Sequence, residues 1–219
     1  MTTGEPIGRG RSADVYELGG PAGAWVLRRY RDGGDADREA ALMRDLAAHG
    51  YPVPRVRSSA GPDLVMERLT GPTLLDAALA GTVAPEAAGT LLADLLRRLH
   101  ATPWIHLDLH PGNVVLTEAG PVVIDWRTAR EGPAGLDRAM SALLLAEASL
   151  SDAPHAPAAH EALTSLLARL DAPVAPYVPE ATALRAADPH LSADERAAVP
   201  AAGALVTGLA AAGGRAVAP

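Results

Sequence analysis

The sequence predicts an α+β chain in which a small strand-rich lobe, residues 1–69, precedes a larger helical lobe, residues 70–219. The first third of the chain alternates short apolar runs with turns rich in glycine and proline, a pattern typical of short antiparallel strands. From Thr73 onward, apolar residues recur three or four positions apart, which is the spacing of amphipathic helices. A chain of 219 residues, 48% of them hydrophobic, can bury a substantial core.

The first lobe is expected to hold one helix among its strands. Strands are predicted at residues 15–18, 24–30, 55–57 and 64–67. Asp35 or Asp37 is suited to cap a helix over residues 36–48, and the Tyr51-Pro-Val-Pro54 run ends it.

The second lobe is expected to be mostly helical. A helix that starts at Pro85 carries a leucine face made of Leu91, Leu92, Leu95, Leu96 and Leu99. Residues 114–116 and 122–124 are predicted to form a hairpin, and residues 135–150 and 157–170 to be helical. The last 50 residues are rich in alanine and proline, and short helices are expected there.

Composition narrows the class of protein. The absence of cysteine excludes disulfides and thiolate metal sites. No apolar run reaches the roughly 18 to 20 residues of a membrane span, and the first ten residues lack a signal-peptide pattern, so we expect a cytoplasmic protein without a membrane partner. The net charge of −7, without a basic stripe, argues against a nucleic-acid partner. All 19 basic residues are arginine, which indicates a compositional bias of the whole chain.

One segment carries the chemistry: His106-Leu-Asp-Leu-His-Pro-Gly-Asn113, followed by Ile124-Asp125-Trp126. Asp108 lies on a loop, where a carboxylate can accept the proton of an attacking hydroxyl. Asn113 offers an amide oxygen, a hard ligand suited to Mg²⁺. Asp125 follows an apolar strand, and the hairpin is expected to fold it back toward Asn113. Each residue alone is typical of turns, but their ordered spacing is specific.

This string resembles the catalytic and metal-binding segments of the aminoglycoside phosphotransferase and choline kinase family, which has a protein-kinase-like fold. The resemblance implies a compact two-lobe fold with an antiparallel-sheet N-lobe and a helical C-lobe. It also implies that Asp108 is the catalytic base, that Asn113 and Asp125 hold Mg²⁺, and that ATP is the phosphate donor. His106 and Asp137 would have structural roles at the site, and His110 would shape the loop.

The resemblance extends upstream of this segment. Gly8, Gly10 and Ser12 resemble the loop that covers the nucleotide. Arg28 aligns with the strand lysine that contacts the α- and β-phosphates, and Glu39 aligns with its helix partner. Arg29 is the alternative if the strand register differs by one residue.

Two further segments bear on the nucleotide and on the acceptor. Met66-Glu67-Arg68-Leu69 resembles the hinge between lobes, where the Glu67 carbonyl and the Leu69 amide would bind the adenine edge and Met66 would lie behind them. Only 38 residues separate Leu69 from Asp108, which is shorter than in antibiotic-modifying members of the family.

Three functions therefore stay open. The leading one is a kinase for a hydroxyl of a small molecule of unknown identity. The alternatives are a compact protein Ser/Thr kinase, favoured by the short spacing, and a nucleotide-binding pseudokinase, suggested by Arg28 in place of lysine. The sequence does not indicate an oligomeric state.

Overall fold

A computed structural model describes residues 5–10, 13–18 and 25–215, with side chains up to residue 212. The chain divides into two compact units. The first unit comprises Met1–Pro72 and Val115–Arg127, and the second comprises Thr73–Val114 and Thr128–Pro219. No helix in the described ranges is both long enough and apolar enough to cross a bilayer.

Strands and helices follow one another along the described part of the chain. In order they are β1 (Pro6–Arg9), β2 (Ala13–Glu17), β3 (Trp25–Tyr30), α1 (Ala36–Ala48), β4 (Val56–Ala60), β5 (Asp63–Glu67), α2 (Leu74–Leu79), α3 (Pro85–Leu99), β6 (Trp104–Ile105), β7 (Val114–Thr117), β8 (Gly120–Val123), β9 (Arg130–Glu131), α4 (Ala134–Ser149), α5 (Ala156–Arg169), α6 (Val178–Ala186) and α7 (Ala193–Arg215).

The first unit is built on an antiparallel sheet of five described strands in the order β1-β2-β3-β5-β4. In the centre of the sheet, Arg28 lies opposite Val15 of β2 and Leu64 of β5. The helix α1 begins after Asp35, whose side chain accepts hydrogen bonds from the backbone amides of Asp37 and Arg38. The sheet with its helix and the helical second unit confirm the predicted α+β class.

The hairpin of β7 and β8 belongs mostly to the first unit, which differs from the predicted division at residue 69. Its backbone explains the difference, because the Val123 amide bonds to the Pro52 carbonyl and the Leu116 amide bonds to the Pro72 carbonyl, each at 2.9 Å. Gly71, with φ of +140°, lets the chain pass this close: a Cβ at Gly71 would lie 2.0 Å from the Leu116 carbonyl oxygen.

The second unit is organised around α4, which packs against α5, α6 and α7. The leucine face of α3 is buried as predicted, except that Leu91 is half-buried. The helices α3 and α5 cross closely at Gly89, where a Cβ would lie 2.2 Å from the Ala162 carbonyl oxygen.

The C-terminal segment contains one short helix, α6, as expected, but it also contains a long one. Its last helix, α7, runs for 23 residues and contains Pro200. Alanine has the highest helix propensity, and the burial of Val199, Ala202 and Val206 stabilises α7 around the proline.

Candidate active site

The guanidinium of Arg28 binds two carboxylates in the first unit. Its Nη1 donates to Glu39 Oε1 at 3.0 Å, and its Nη2 donates to Asp125 Oδ1 at 2.5 Å. Arg28 and Glu39 are buried, at 7% and 4% exposure, whereas 39% of the Asp125 side chain is exposed. The structure therefore brings together the predicted strand cation, its helix partner and one predicted metal ligand.

Glu39 is the acceptor at the centre of this cluster. Besides Arg28, it accepts hydrogen bonds from the Tyr30 hydroxyl and, at 3.1 Å, from the Trp126 backbone amide. Burial raises the pKa of the Glu39 carboxyl, and the charge of Asp125 acts in the same direction, while Arg28 and the Trp126 amide oppose the rise. Burial alone would lower the pKa of Arg28, but Glu39 and then Asp125 outweigh it and raise the pKa, so Arg28 stays charged.

Tyr30 connects two arginines to this cluster. The Arg28 guanidinium lies 5.2 Å from the centre of its ring, and the Arg127 guanidinium lies 4.8 Å from it. Arg127 also forms an ion pair with Asp32, just beyond the end of β3. Sequence reasoning did not select Tyr30 or Arg127, although Tyr30 lies two positions after Arg28 and so on the same face of the strand.

The backbone at Asp125 adopts a left-handed conformation, with φ of +64°. This region is uncommon for residues other than glycine, and it persists where neighbouring contacts hold the chain. Trp126 supplies such contacts: its ring nitrogen donates to the Val123 carbonyl at 2.9 Å, and its ring meets the ring of Tyr51 edge-on, with centroids 5.6 Å apart.

The loop after β6 lies in the second unit and carries Asp108. The side-chain amide of Asn113 donates to the Asp108 carbonyl at 2.9 Å and to Asp108 Oδ2 at 3.1 Å. The His110 ring accepts a hydrogen bond from the Gly112 amide at 3.1 Å. Each unit offers an oxygen of the kind that Mg²⁺ prefers: in the second unit the side-chain oxygen of Asn113, whose nitrogen faces Asp108, and in the first unit Oδ2 of Asp125, whose Oδ1 binds Arg28.

Asp137 on α4 anchors that loop from beneath. Fully buried, it accepts hydrogen bonds from the backbone amides of His106 at 3.0 Å and Leu107 at 2.7 Å. His100, at the end of α3, contacts the same carboxylate at 2.9 Å. Leu107 is held in a left-handed conformation with φ of +63°, so the anchor fixes a strained backbone directly before Asp108.

His106 is itself buried and shapes the backbone around Asp108. Its Nδ1 accepts a hydrogen bond from the Asp108 amide at 3.2 Å, and its carbonyl accepts one from the Thr128 hydroxyl at 2.8 Å.

The second unit also contains a charged group that sequence reasoning did not select. Arg185 on α6 binds Glu147 of α4 through Nε and Nη2, and it contacts Asp188 at 3.3 Å. Burial alone would lower the pKa of Arg185, but Glu147 and then Asp188 and Asp108 outweigh it and raise the pKa. No pattern near residue 185 distinguishes this arginine from the others in the sequence.

The glycine-rich loop is only partly described. Gly8 lies in β1, and the Gly10 amide donates a hydrogen bond to the Ala13 carbonyl at 2.9 Å. Arg31 donates to the Gly10 carbonyl from the other side. Ser12 lies outside the described residues.

The remaining predicted residues lie on β3 and β5. Arg29, the alternative to Arg28, binds Asp63 with two hydrogen bonds of 2.6 and 2.7 Å, away from the Glu39 cluster. Met66 and Glu67 end β5, and the Glu67 carboxylate binds Arg55, so its side chain is occupied. Leu69 follows as a half-buried residue.

Comparisons with known proteins identify the family of the chain. The sequence model described as "Phosphotransferase enzyme family" (APH) matches residues 3–103 and 102–156. The chain is 32% identical over 104 residues to "Serine/threonine-protein kinase D" of Synechocystis sp. (strain ATCC 27184 / PCC 6803 / Kazusa), covering 43% of this chain and 20% of that protein. It is 38% identical over 82 residues to "EKC/KEOPS complex subunit BUD32" of Encephalitozoon cuniculi (strain GB-M1), covering 37% of this chain and 41% of that protein. The matched regions thus span less than half of either relative.

Proposed function

Because the chain belongs to the phosphotransferase enzyme family, whose members are kinase-like and generally use ATP and Mg²⁺, we propose that it transfers the γ-phosphate of ATP to a hydroxyl of a small molecule. The observation that carries this proposal is the double pairing of Arg28 with Glu39 and Asp125. This pairing holds a cation, Arg28, beside a carboxylate, Asp125, that suits Mg²⁺. A cation for the phosphates and a metal ligand are two of the few groups that phosphoryl transfer needs.

In the first unit, we assign Arg28 to the phosphates and Glu39 to holding Arg28 in place. Gly8, Gly10 and Ser12 would cover the phosphates with backbone amides. The Glu67 carbonyl and the Leu69 amide would bind the adenine edge, with Met66 behind it.

In the second unit, Asp108 is the proposed base. The acceptor oxygen forms a bond to the γ-phosphorus, the bond from that phosphorus to the β,γ-bridging oxygen breaks to release ADP, and Asp108 takes the hydroxyl proton. Asn113 of this unit and Asp125 of the first unit are each proposed as a ligand of Mg²⁺, which would neutralise charge on the phosphates. Asp137 and His106 keep the loop of Asp108 in place.

ADP release tests the proposal. The purified chain is incubated with Mg-ATP and, separately, aminoglycosides, macrolides, choline-like amines and sugars. We expect one class to accelerate ADP release and Asp108→Asn to abolish the acceleration, while Asp152→Asn, a change at an exposed aspartate, leaves it intact. Turnover that persists unchanged in Asp108→Asn would show that the assigned base is wrong.

A compact protein Ser/Thr kinase is the second candidate, since only 38 residues separate Leu69 from Asp108 and one relative is named as a serine/threonine-protein kinase. Its test is phosphate incorporation, detected by mass spectrometry, into the chain itself and into a generic protein substrate. Incorporation that depends on Asp108, together with silence across the small-molecule panel, would replace the leading proposal.

A nucleotide-binding pseudokinase is the remaining alternative. Thermal melts with Mg-ATP separate binding from transfer, because a bound ligand stabilises the folded state. Stabilisation by Mg-ATP without ADP release or phosphate incorporation would favour this alternative over both kinase assignments.

A further inference from the structure

Asp125 is followed by a residue with unusual surroundings. Two positions after Asp125, Arg127 forms an ion pair with Asp32 and stacks its guanidinium on the Tyr30 ring. Asp32 and Tyr30 lie at the end of β3, the strand that carries Arg28. Arg127 thus connects the segment that follows Asp125 to the end of β3, and β3 also carries Arg28, which binds Asp125.

Two residues that follow Asp125 hold it in place through different contacts. Its conformation is left-handed, so it requires support from its neighbours. The Trp126 amide, bonded to Glu39, and the buried Trp126 ring hold the residue next to it. Beyond Trp126, within the described part of the chain, Arg127 supplies the contacts to β3 through Asp32 and Tyr30.

Stability alone does not account for Arg127. Its partner Asp32 is largely exposed, with 55% of the side chain accessible, and an exposed ion pair contributes little. Its Nη1 is buried and has no hydrogen-bond partner among the described residues, which is costly.

We propose that Arg127 is a positioning residue for Asp125: by tying the following chain to the end of β3, it holds the Asp125 carboxylate beside Arg28, ready to bind Mg²⁺. This inference rests on the proposed function, in which Asp125 is a ligand of Mg²⁺. Residues that orient a metal ligand without touching the metal affect metal affinity strongly.

The first unit offers a matched control. Arg29 is another partly exposed arginine paired with an aspartate, Asp63, with 42% of its side chain accessible against 32% for Arg127. It lies away from Asp125, so Arg29→Gln removes an ion pair of the same kind without touching the proposed tie.

The test is a Mg²⁺ titration read by thermal melts at saturating ATP, which requires no acceptor. Each variant is referred to its own melting temperature without ligand, so a general loss of stability does not enter the result. For Arg127→Gln we expect the Mg²⁺ concentration that gives half of the ATP-dependent stabilisation to rise about 10-fold. Asp32→Asn should shift this Mg²⁺ midpoint in the same direction. The double variant Arg127→Gln/Asp32→Asn should shift it no further, because the two changes remove the same ion pair.

The outcomes separate the inference from the proposed function. A shift in Arg127→Gln and Asp32→Asn, absent from Arg29→Gln, supports the positioning role. A wild-type response to Mg-ATP with the same Mg²⁺ midpoint in Arg127→Gln overturns the inference and leaves the proposed function standing. No stabilisation of the wild type by Mg-ATP contradicts the proposed function itself.

Discussion

Arg28→Met is the sharpest test of the buried cluster, because methionine keeps the aliphatic length of the side chain and removes its charge. The variant takes away the charged donor of Glu39, which is 4% exposed, and leaves it the neutral donors Tyr30 and Trp126. Asp125 also loses its partner, but its exposed carboxylate can be solvated by water.

The magnitude follows from burial. Removing one partner of a buried ion pair costs about 3 to 5 kcal/mol, since the other charge is left uncompensated. The exposed Asp125 contact adds little to this figure. We therefore expect the free energy of unfolding to fall by about 3 kcal/mol near neutral pH, which in urea lowers the midpoint by about 1.5 M at a slope of about 2 kcal/mol per molar.

The loss should depend on pH in a defined direction. The pKa of Glu39 is already raised in the folded state above its ordinary value of 4.5, chiefly by burial, and Arg28 opposes that rise. Without Arg28 the folded-state pKa rises further. A carboxyl with a raised folded-state pKa contributes stability below its unfolded-state pKa and loses it as pH rises through the folded-state value. The destabilisation of Arg28→Met relative to the wild type should therefore grow as pH rises from the folded-state pKa of Glu39 in the wild type toward the higher value in the variant, by at most about 1.4 kcal/mol per pH unit.

Urea unfolding at about pH 5 and about pH 7.5 measures this effect. The double variant Arg28→Met/Glu39→Gln is the control, because it removes the buried charge and should recover stability near neutral pH. An equal loss for Arg28→Met at both pH values would contradict an uncompensated buried charge on Glu39, as would a double variant no more stable than the single one at the higher pH.

Three other predictions concern Arg28, Asp137 and a pair of glycines. Arg28→Lys should keep measurable turnover, with kcat/KM lowered about 10-fold by the loss of one charged hydrogen bond, and a loss as complete as that of Arg28→Met would contradict this. Asp137→Ala should lower the free energy of unfolding by about 3 kcal/mol in chemical denaturation, since the loop amides and His100 lose a buried acceptor; a near-neutral result would argue against the anchor. Gly89→Ala should lower the free energy of unfolding by about 2 kcal/mol, because the added Cβ would clash with the backbone of α5 where the two helices cross. The exposed helical Gly208 meets nothing within 4 Å, so Gly208→Ala should stabilise by up to about 1 kcal/mol, and equal effects at the two glycines would contradict the crossing.

Local signals account for the parts of the fold that the sequence predicted well. The helix over residues 36–48 follows from an aspartate cap and an apolar spacing, and its observed bounds agree. The family and its kinase-like fold followed from ordered motifs, and the match over residues 3–156 confirms them. The sequence did not predict that the hairpin of β7 and β8 belongs mostly to the first unit. This placement depends on backbone hydrogen bonds to the carbonyls of Pro52 and Pro72, and a pattern of side chains does not reveal such bonds.

The candidate site shows the same limit. Motif order selected Arg28, Glu39 and Asp125, and the structure places these three in contact. The contacts of Arg127 and Arg185 were not predicted from the sequence. Each arginine binds a carboxylate from a distant part of the chain, and neither arginine belongs to a recognised motif. Tertiary packing decides which charged side chains from distant parts of the chain meet, and a single sequence does not predict these pairs.

Arginine at position 28 has a physical explanation besides compositional bias. A chain without lysine would carry arginine there by drift alone. Yet the guanidinium uses its two terminal nitrogens for different carboxylates, Glu39 and Asp125, while its face lies against Tyr30. An ammonium is a compact charge without a planar fork or a stacking face, so lysine would not reproduce this set of contacts. The surroundings of position 28 are therefore adapted to arginine, and the substitution that separates this chain from the family pattern is compatible with a working phosphate site.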